Sequence, residues 1–140
     1  MLVSASEDST IQLWSLADVL DRGVAAAVLH GIKPIRVWKG HALPVTGLHI
    51  SSLSTAAGLR VFSCSMDQTL KVWDAHDSRA SLTFACPDIL HALAVDPEER
   101  FVFLGGGNGD VFQVRGVAAL DSNCVAACTA VCWLVDQPIS

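Results

Sequence analysis

Three stretches of the chain repeat one arrangement of apolar and polar positions: Leu2 to Trp14, Val61 to Trp73 and Val102 to Val114. In each, a short apolar run enters, a cluster of small and polar residues reverses the chain, and a second run leaves with apolar and polar side chains in alternation. Alternation at period two places every second side chain on the same face of a pleated strand, so each stretch is predicted to be a β-hairpin. Ile11 and Leu13, Leu70 and Val72, and Val111 and Val114 mark the returning strands, where long and β-branched side chains suit a half-buried pleat.

The spacing of these hairpins carries the architecture. The turn residue steps from Asp67 to Asn108, an interval of 108 − 67 = 41 residues, within the roughly 40 to 45 residues of one β-propeller blade. From Asp8 to Asp67 the interval is 67 − 8 = 59, about 15 residues more than one blade of that repeat length. The excess falls on residues 17–33, beginning Ala17-Asp-Val-Leu-Asp-Arg-Gly, which reads as a surface loop with about one helical turn. Around the hairpins, 44–50 is the inner strand of the middle blade, 51–59 a small polar insertion and 80–85 its outer strand. In the next unit 89–95 is an inner strand and 96–100 a turn in which Pro97 fixes a dihedral. The expectation is an all-β chain of about two to three four-stranded antiparallel blades of an incomplete ring. Residues 1–38 form a partial first blade with the 17–33 insertion, 39–86 the middle blade, 87–115 a degenerate third blade, and 116–140 a divergent or truncated tail. A propeller takes typically four to eight blades, so the chain reads as a fragment.

Gly40-His41 upstream of Ser63, Asp67, Thr69 and the terminal pair Trp73-Asp74 resembles the signature of the WD-repeat family. Ser4, Asp8 and Trp14 repeat half of it in the first unit, with Trp14-Ser15 in place of Trp-Asp. The third unit departs from it at Asn108 and Val114. The resemblance implies a hydrogen-bonded chain of His41, Asp67, Ser63 or Ser65, and the Trp73 indole, which pins the loop between blades to the hairpin, and implies its absence from the third unit. A narrower likeness runs from Leu2 to Val114. The motifs Trp38-Lys-Gly-His41-Ala-Leu-Pro-Val-Thr46, Asp67-Gln-Thr-Leu-Lys-Val-Trp73 and Gly105-Gly-Gly-Asn-Gly-Asp-Val-Phe-Gln-Val114 are similar to those of the WD-repeat subunits of Rix-type complexes. That likeness implies a non-catalytic protein scaffold in large ribosomal subunit assembly and rRNA processing. Its partners would be the other subunits of the complex and pre-60S particles, and its place the nucleolus and nucleoplasm.

Composition narrows the alternatives. Half the chain, 51%, is apolar, enough for a packed core, and 9 Lys plus Arg against 14 Asp plus Glu give a net charge of −5 with no basic run. No patch for tracking a nucleic-acid backbone is expected, nor a cofactor or metal. The residues after Met1 lack the basic start and apolar stretch of a secretory signal, and the weakly polar run 124–135 is too short to cross a membrane, so a soluble intracellular chain is expected. Five cysteines form no regular framework and suit a reducing compartment.

Each chemical constellation has a plainer reading. Cys124, Cys128 and Cys132 would line one face of a helix, yet they lack close zinc-type pairs and a following His, and read as small apolar packing. Gly105 to Gly109 lacks the Lys-Ser/Thr of a phosphate loop and reads as a hairpin turn. His30, His49, His76 and His91 are scattered. Ser63, His41 and Asp67 are also the residue types of a hydrolase triad, a remote alternative because the Ser lies mid-strand, not on an exposed elbow. Trp73-Asp74-Ala75 is followed by His76, with Arg only at 79, so a Trp-Asp-x-Arg box is incomplete. A generic WD-repeat adaptor such as a ubiquitin-ligase receptor stands as the second reading.

Overall fold

The structure, a computed structural model, describes residues 1–22, 31–51, 58–115 and 131–133, with 21–22 and 131–133 as backbone alone. Among the described residues are eleven strands and one helix. The strands are β1 (Leu2–Ala5), β2 (Thr10–Trp14), β3 (Arg36–Lys39), β4 (Val45–Ile50), β5 (Arg60–Ser65), β6 (Thr69–Asp74), β7 (Ala80–Ala85), β8 (Leu90–Val95), β9 (Phe101–Gly106), β10 (Val111–Arg115) and β11 (Val131–Trp133); α1 spans Leu16–Arg22. They form three antiparallel sheets, ordered β1-β2-β3, β4-β5-β6-β7 and β11-β10-β9-β8. Among the described residues these sheets have the strand order of propeller blades and do not close into a ring.

The three hairpin turns share one geometry. Ser9, Gln68 and Gly109 occupy equivalent positions and all take positive φ, at 70°, 66° and 90°. In each turn that residue's amide donates to the carbonyl three residues back: Ser9 to Ser6, Gln68 to Ser65 and Gly109 to Gly106, each at 3.2 Å. In the 105–109 run only Gly109 has a dihedral that favours glycine, and the other two turns take the same dihedral with Ser9 and Gln68. Gly106 and Gly107 are there for space. A Cβ on Gly107 would lie 2.7 Å from Ile89, and one on Gly106 2.7 Å from Asp88.

Alternation along the strands decides what packs where. On one face of the middle sheet Val61 and Trp73 meet Ile11, Leu13 and Trp38 of the first sheet, with the Trp38 and Trp73 rings 5.9 Å apart. On its other face Phe62, Cys64, Leu70 and Val72 meet Leu90, Val102, Leu104, Phe112 and Val114 of the third. Strand β5 is buried at every position from Val61 to Ser65 because it is covered from both sides. Complete burial of each large side chain stabilises by about 1.5–3 kcal/mol, which makes these two interfaces the main source of cohesion.

The inner strands β1, β4 and β8 run side by side. Both β4 and β8 carry a register shift against their partners, between Val45 and Gly47 and between Leu90 and Ala92, so each is kinked at an equivalent point. The Thr46 hydroxyl crosses to donate to the Leu90 carbonyl at 2.6 Å.

Two segments differ in detail from the sequence reading. Helix α1 is two turns long, not one, and starts at Leu16. Ser15 Oγ accepts from the Asp18 amide at 3.4 Å as its cap, and Asp18 places a negative charge in the first turn. Residues 23–30, including His30, lie outside the described residues. The stretch 116–140, in which the sequence shows no blade pattern, supplies β11, which pairs Val131 to Trp133 with Gln113 to Val111 as the fourth strand of the third sheet. Cys132 is thus on a strand, while Cys124 and Cys128 lie outside the described residues.

Where β4 crosses β8 the space is already full. A Cβ on Gly47 would fall 2.8 Å from Cys64 Sγ and 3.1 Å from Leu93 Cβ. Gly47→Val is expected to destabilise the intact protein by about 1–3 kcal/mol through overpacking. Chemical denaturation reads this directly, and an unchanged midpoint would show that the crossing is loose.

Candidate functional site

The residues singled out by the sequence converge at the end of the first inter-sheet interface. Strand β3 ends at Lys39, and Gly40 then passes over the Trp73 indole so closely that a Cβ there would lie 2.9 Å from Cη2. Glycine at this point lets the chain lie on the ring and turns His41 inward, where it is 7% exposed with its ring edge against Trp73.

Four side chains then form one continuous path. Trp73 Nε1 donates to Ser63 Oγ at 2.8 Å, and His41 Nε2 is 2.8 Å from the same oxygen. His41 Nδ1 lies 2.8 Å from Asp67 Oδ2. Asp67 Oδ2 also accepts from the Ala42 amide at 2.9 Å, while Oδ1 accepts the Thr69 amide at 3.0 Å and the Thr69 hydroxyl at 2.5 Å. Donor logic fixes the direction. The indole can only donate, so Ser63 spends a lone pair on it and gives its own proton to His41 Nε2. The imidazole proton is therefore on Nδ1, aimed at the carboxylate.

Electrostatics agree with that assignment. Burial is the largest influence on His41 and lowers its pKa from 6.5; the hydrogen bond and charge of Asp67 act the other way without overturning it. For Asp67, burial raises the pKa, but the Thr69 hydroxyl, the Ala42 amide and His41 together bring it below 3.8. The contact is thus a hydrogen bond from neutral imidazole to carboxylate, not an ion pair. Ser65 serves the turn separately, taking the Asp67 amide at 3.0 Å and donating to the Leu43 carbonyl at 2.9 Å.

The first sheet holds the matching half. Trp14 Nε1 donates to Ser4 Oγ at 2.9 Å, and Asp8 Oδ1 accepts from the Thr10 amide and hydroxyl at 2.9 and 2.6 Å. The Thr10 hydroxyl, then its amide, lower the Asp8 pKa. In the third sheet the positions of Ser63 and Trp73 are taken by Leu104 and Val114, both buried, so apolar packing replaces the polar path there. Its turn is held instead by Asp88, whose Oδ2 accepts the Asn108 amide at 2.9 Å and whose Oδ1 accepts its neighbour Ile89's amide at 2.7 Å. Asp88 is a residue the motif pattern passes over; its signal is its place two residues before the inner strand β8, the register position that Leu43 holds before β4.

Chemically, Ser63, His41 and Asp67 stand in the spatial order of a hydrolytic triad, but Ser63 is 0% exposed and its oxygen is already shared between Trp73 and His41. His49 packs edge-on to Phe62, the His76 backbone amide donates to Asp74 Oδ1, and among the described residues no group of three His, Cys, Asp or Glu is placed to hold a metal. Among them, too, no helix is long and apolar enough to cross a membrane.

Residues 32–74 match the family described as WD domain, G-beta repeat, which spans β3 to β6 and the whole His41 path. The sheets and this match together show a WD repeat over β3 to β6 within an all-β set of propeller-type blades. Among the chain's relatives is WD repeat-containing protein 18 of Homo sapiens, 33% identical over 80% of this chain and 24% of that protein; its counterpart in Rattus norvegicus is 33% identical over 80% and 25%. The pre-rRNA-processing protein crb3/ipi3 of Schizosaccharomyces pombe is 26% identical over 80% of this chain and 25% of its own length. The chain spans about a quarter of the length of these relatives.

Two outcomes follow for the intact protein. His41→Ala, which leaves Ser63 and Asp67 short of a buried partner, is expected to cost about 1–3 kcal/mol by denaturant titration. Because the folded pKa of His41 lies below 6.5, the unfolded chain binds more protons as the pH drops through that value, so stability falls with acidification. The lowered pKa of Asp67 adds a loss of the same sign below 3.8. A midpoint that declines between about pH 7 and 5, with the decline reduced in His41→Ala, fits this; a flat profile contradicts it.

Proposed function

We propose that this chain is part of a non-catalytic protein-interaction scaffold that acts in large ribosomal subunit assembly and rRNA processing, as a component of a Rix-type complex in the nucleolus and nucleoplasm. The observation that carries the proposal is the likeness over 80% of the chain to two sets of proteins at once, WD repeat-containing protein 18 and proteins named for pre-rRNA processing. The buried state of Ser63 supports a non-catalytic role, since its hydroxyl is committed to holding Trp73 and His41 in place.

Partners in this reading are proteins: the other subunits of the complex and pre-60S particles. A net charge of −5 gives no electrostatic footing for direct binding to a nucleic-acid backbone. The insertion after β2 is the part of the surface best suited to contacts, because α1 stands outside the repeated strands and exposes Leu16 and Leu20, the latter at 72%.

Affinity purification of the endogenous protein followed by mass spectrometry tests the reading. Large-subunit precursor proteins among the partners are expected. Recovery of ubiquitin-ligase subunits instead, or of no ribosomal precursors, would move the function to a generic adaptor. Treatment with a serine-reactive fluorophosphonate is expected to leave Ser63 unlabelled, and labelling lost on Ser63→Ala would overturn the non-catalytic role.

A further inference from the structure

The repeat offsets bring one residue out of place. The step of 41 that carries Asp67 to Asn108 also carries Gly58 to Glu99, each being the residue two before a β5- or β9-type strand position of the same register. Both have positive φ, 100° at Gly58 and 54° at Glu99, and the Glu99 amide closes its turn on the Asp96 carbonyl at 2.8 Å. This left-handed conformation suits glycine and costs a residue with a Cβ. The third sheet nonetheless carries glutamate there, and its side chain is 2% exposed.

Its side chain reaches into the neighbouring sheet. Glu99 Oε2 lies 3.1 Å from an Arg60 guanidinium nitrogen at the start of β5, and Oε1 accepts the hydroxyl of Ser51 just after β4. The first junction lacks both halves of this pair. The step of 59 that carries Asp8 to Asp67 carries Met1 to Arg60, so Met1, 60% exposed, stands where arginine would be. The repeat position of Glu99 is held in the second sheet by Gly58, where a Cβ would fall 2.8 Å from His76 Cδ2. Arginine and glutamate thus occur together at one junction and are replaced together at the other.

We infer that Glu99 and Arg60 form a clasp particular to the junction of the second and third sheets, and that it selects which sheet packs on which face. The apolar contacts of the two interfaces, Ile, Leu, Val and Trp at the first and Leu, Val, Phe and Cys at the second, are non-directional and do not by themselves pair one face with one partner. A buried ion pair does: it is tolerated where both halves are present and costly where one is missing, which is the use for which such pairs are best suited. The backbone strain at Glu99 is the cost of delivering the carboxylate.

The test is a set of variants in the intact protein, read by thermal and denaturant midpoints. Glu99→Gly restores the residue of the other repeat and relieves the backbone, so a glycine-seeking turn alone predicts stabilisation; the clasp predicts a fall of several degrees. Glu99→Gln and Arg60→Met, milder changes in case Glu99→Gly does not fold, are each expected to lower the midpoint, with the double variant losing clearly less than the two losses combined. Arg100→Gln, at an exposed ion pair of the same turn, is expected to change little. An unchanged or raised midpoint for Glu99→Gly, or additive losses for Glu99→Gln and Arg60→Met, would overturn the clasp.

Discussion

The constraint on which the rest depends is that a buried indole can give a hydrogen bond but cannot receive one. Trp73 fills the interface between the first and second sheets and packs on Trp38, so its N–H must be satisfied in place, and Ser63 is the acceptor within reach. Once Ser63 accepts there, its own proton goes to His41, the imidazole must carry its hydrogen on Nδ1, and Asp67 must be ionised to receive it. One donor on a large apolar side chain thereby orders the loop 40–43, the turn 65–69 and the strand between them. An interior of low polarity makes each missing partner expensive, and this gives the path its rigidity.

The third sheet solves the same packing problem without polar groups. Leu104, Val114 and Phe112 fill the space that Ser63, Trp73 and Lys71 occupy in the middle repeat, and no buried donor then needs an acceptor. What the polar path would have done for the loop is passed to Asp88, which holds the turn at Asn108 from just before β8. The middle sheet is therefore asymmetric: a polar-and-aromatic junction on one side, and on the other an apolar one supplemented by the Arg60 and Glu99 pair at its edge.

Much of this is legible in the sequence because the signals are local. Alternation marks β5 and β6, the small polar clusters mark the turns, and the 41-residue step between Asp67 and Asn108 announces repetition. The Trp14 and Ser4 pairing follows from the same register as Trp73 and Ser63, both ten residues apart. What is not legible depends on contacts between distant segments. Strand β11 has no pattern of its own and is a strand because β10 offers it an edge. Helix α1 gains its second turn from the cap at Ser15 and the burial of Val19. Glu99 sits in a run of charged residues that reads as a solvated turn, and only the approach of Arg60 and Ser51 from another sheet makes it a buried group.

The donor chain that runs from Trp73 through Ser63 and His41 to Asp67, and with it the order of the first inter-sheet interface, depends on where the imidazole proton resides. Nitrogen-15 NMR of the intact protein labelled at histidine, near neutral pH, locates it. A neutral His41 ring with hydrogen on Nδ1 and a bare, hydrogen-bonded Nε2 is the predicted result. A ring protonated on Nε2, or a doubly protonated imidazolium, would contradict the account, because Ser63 could not then give its proton to His41 while accepting that of Trp73.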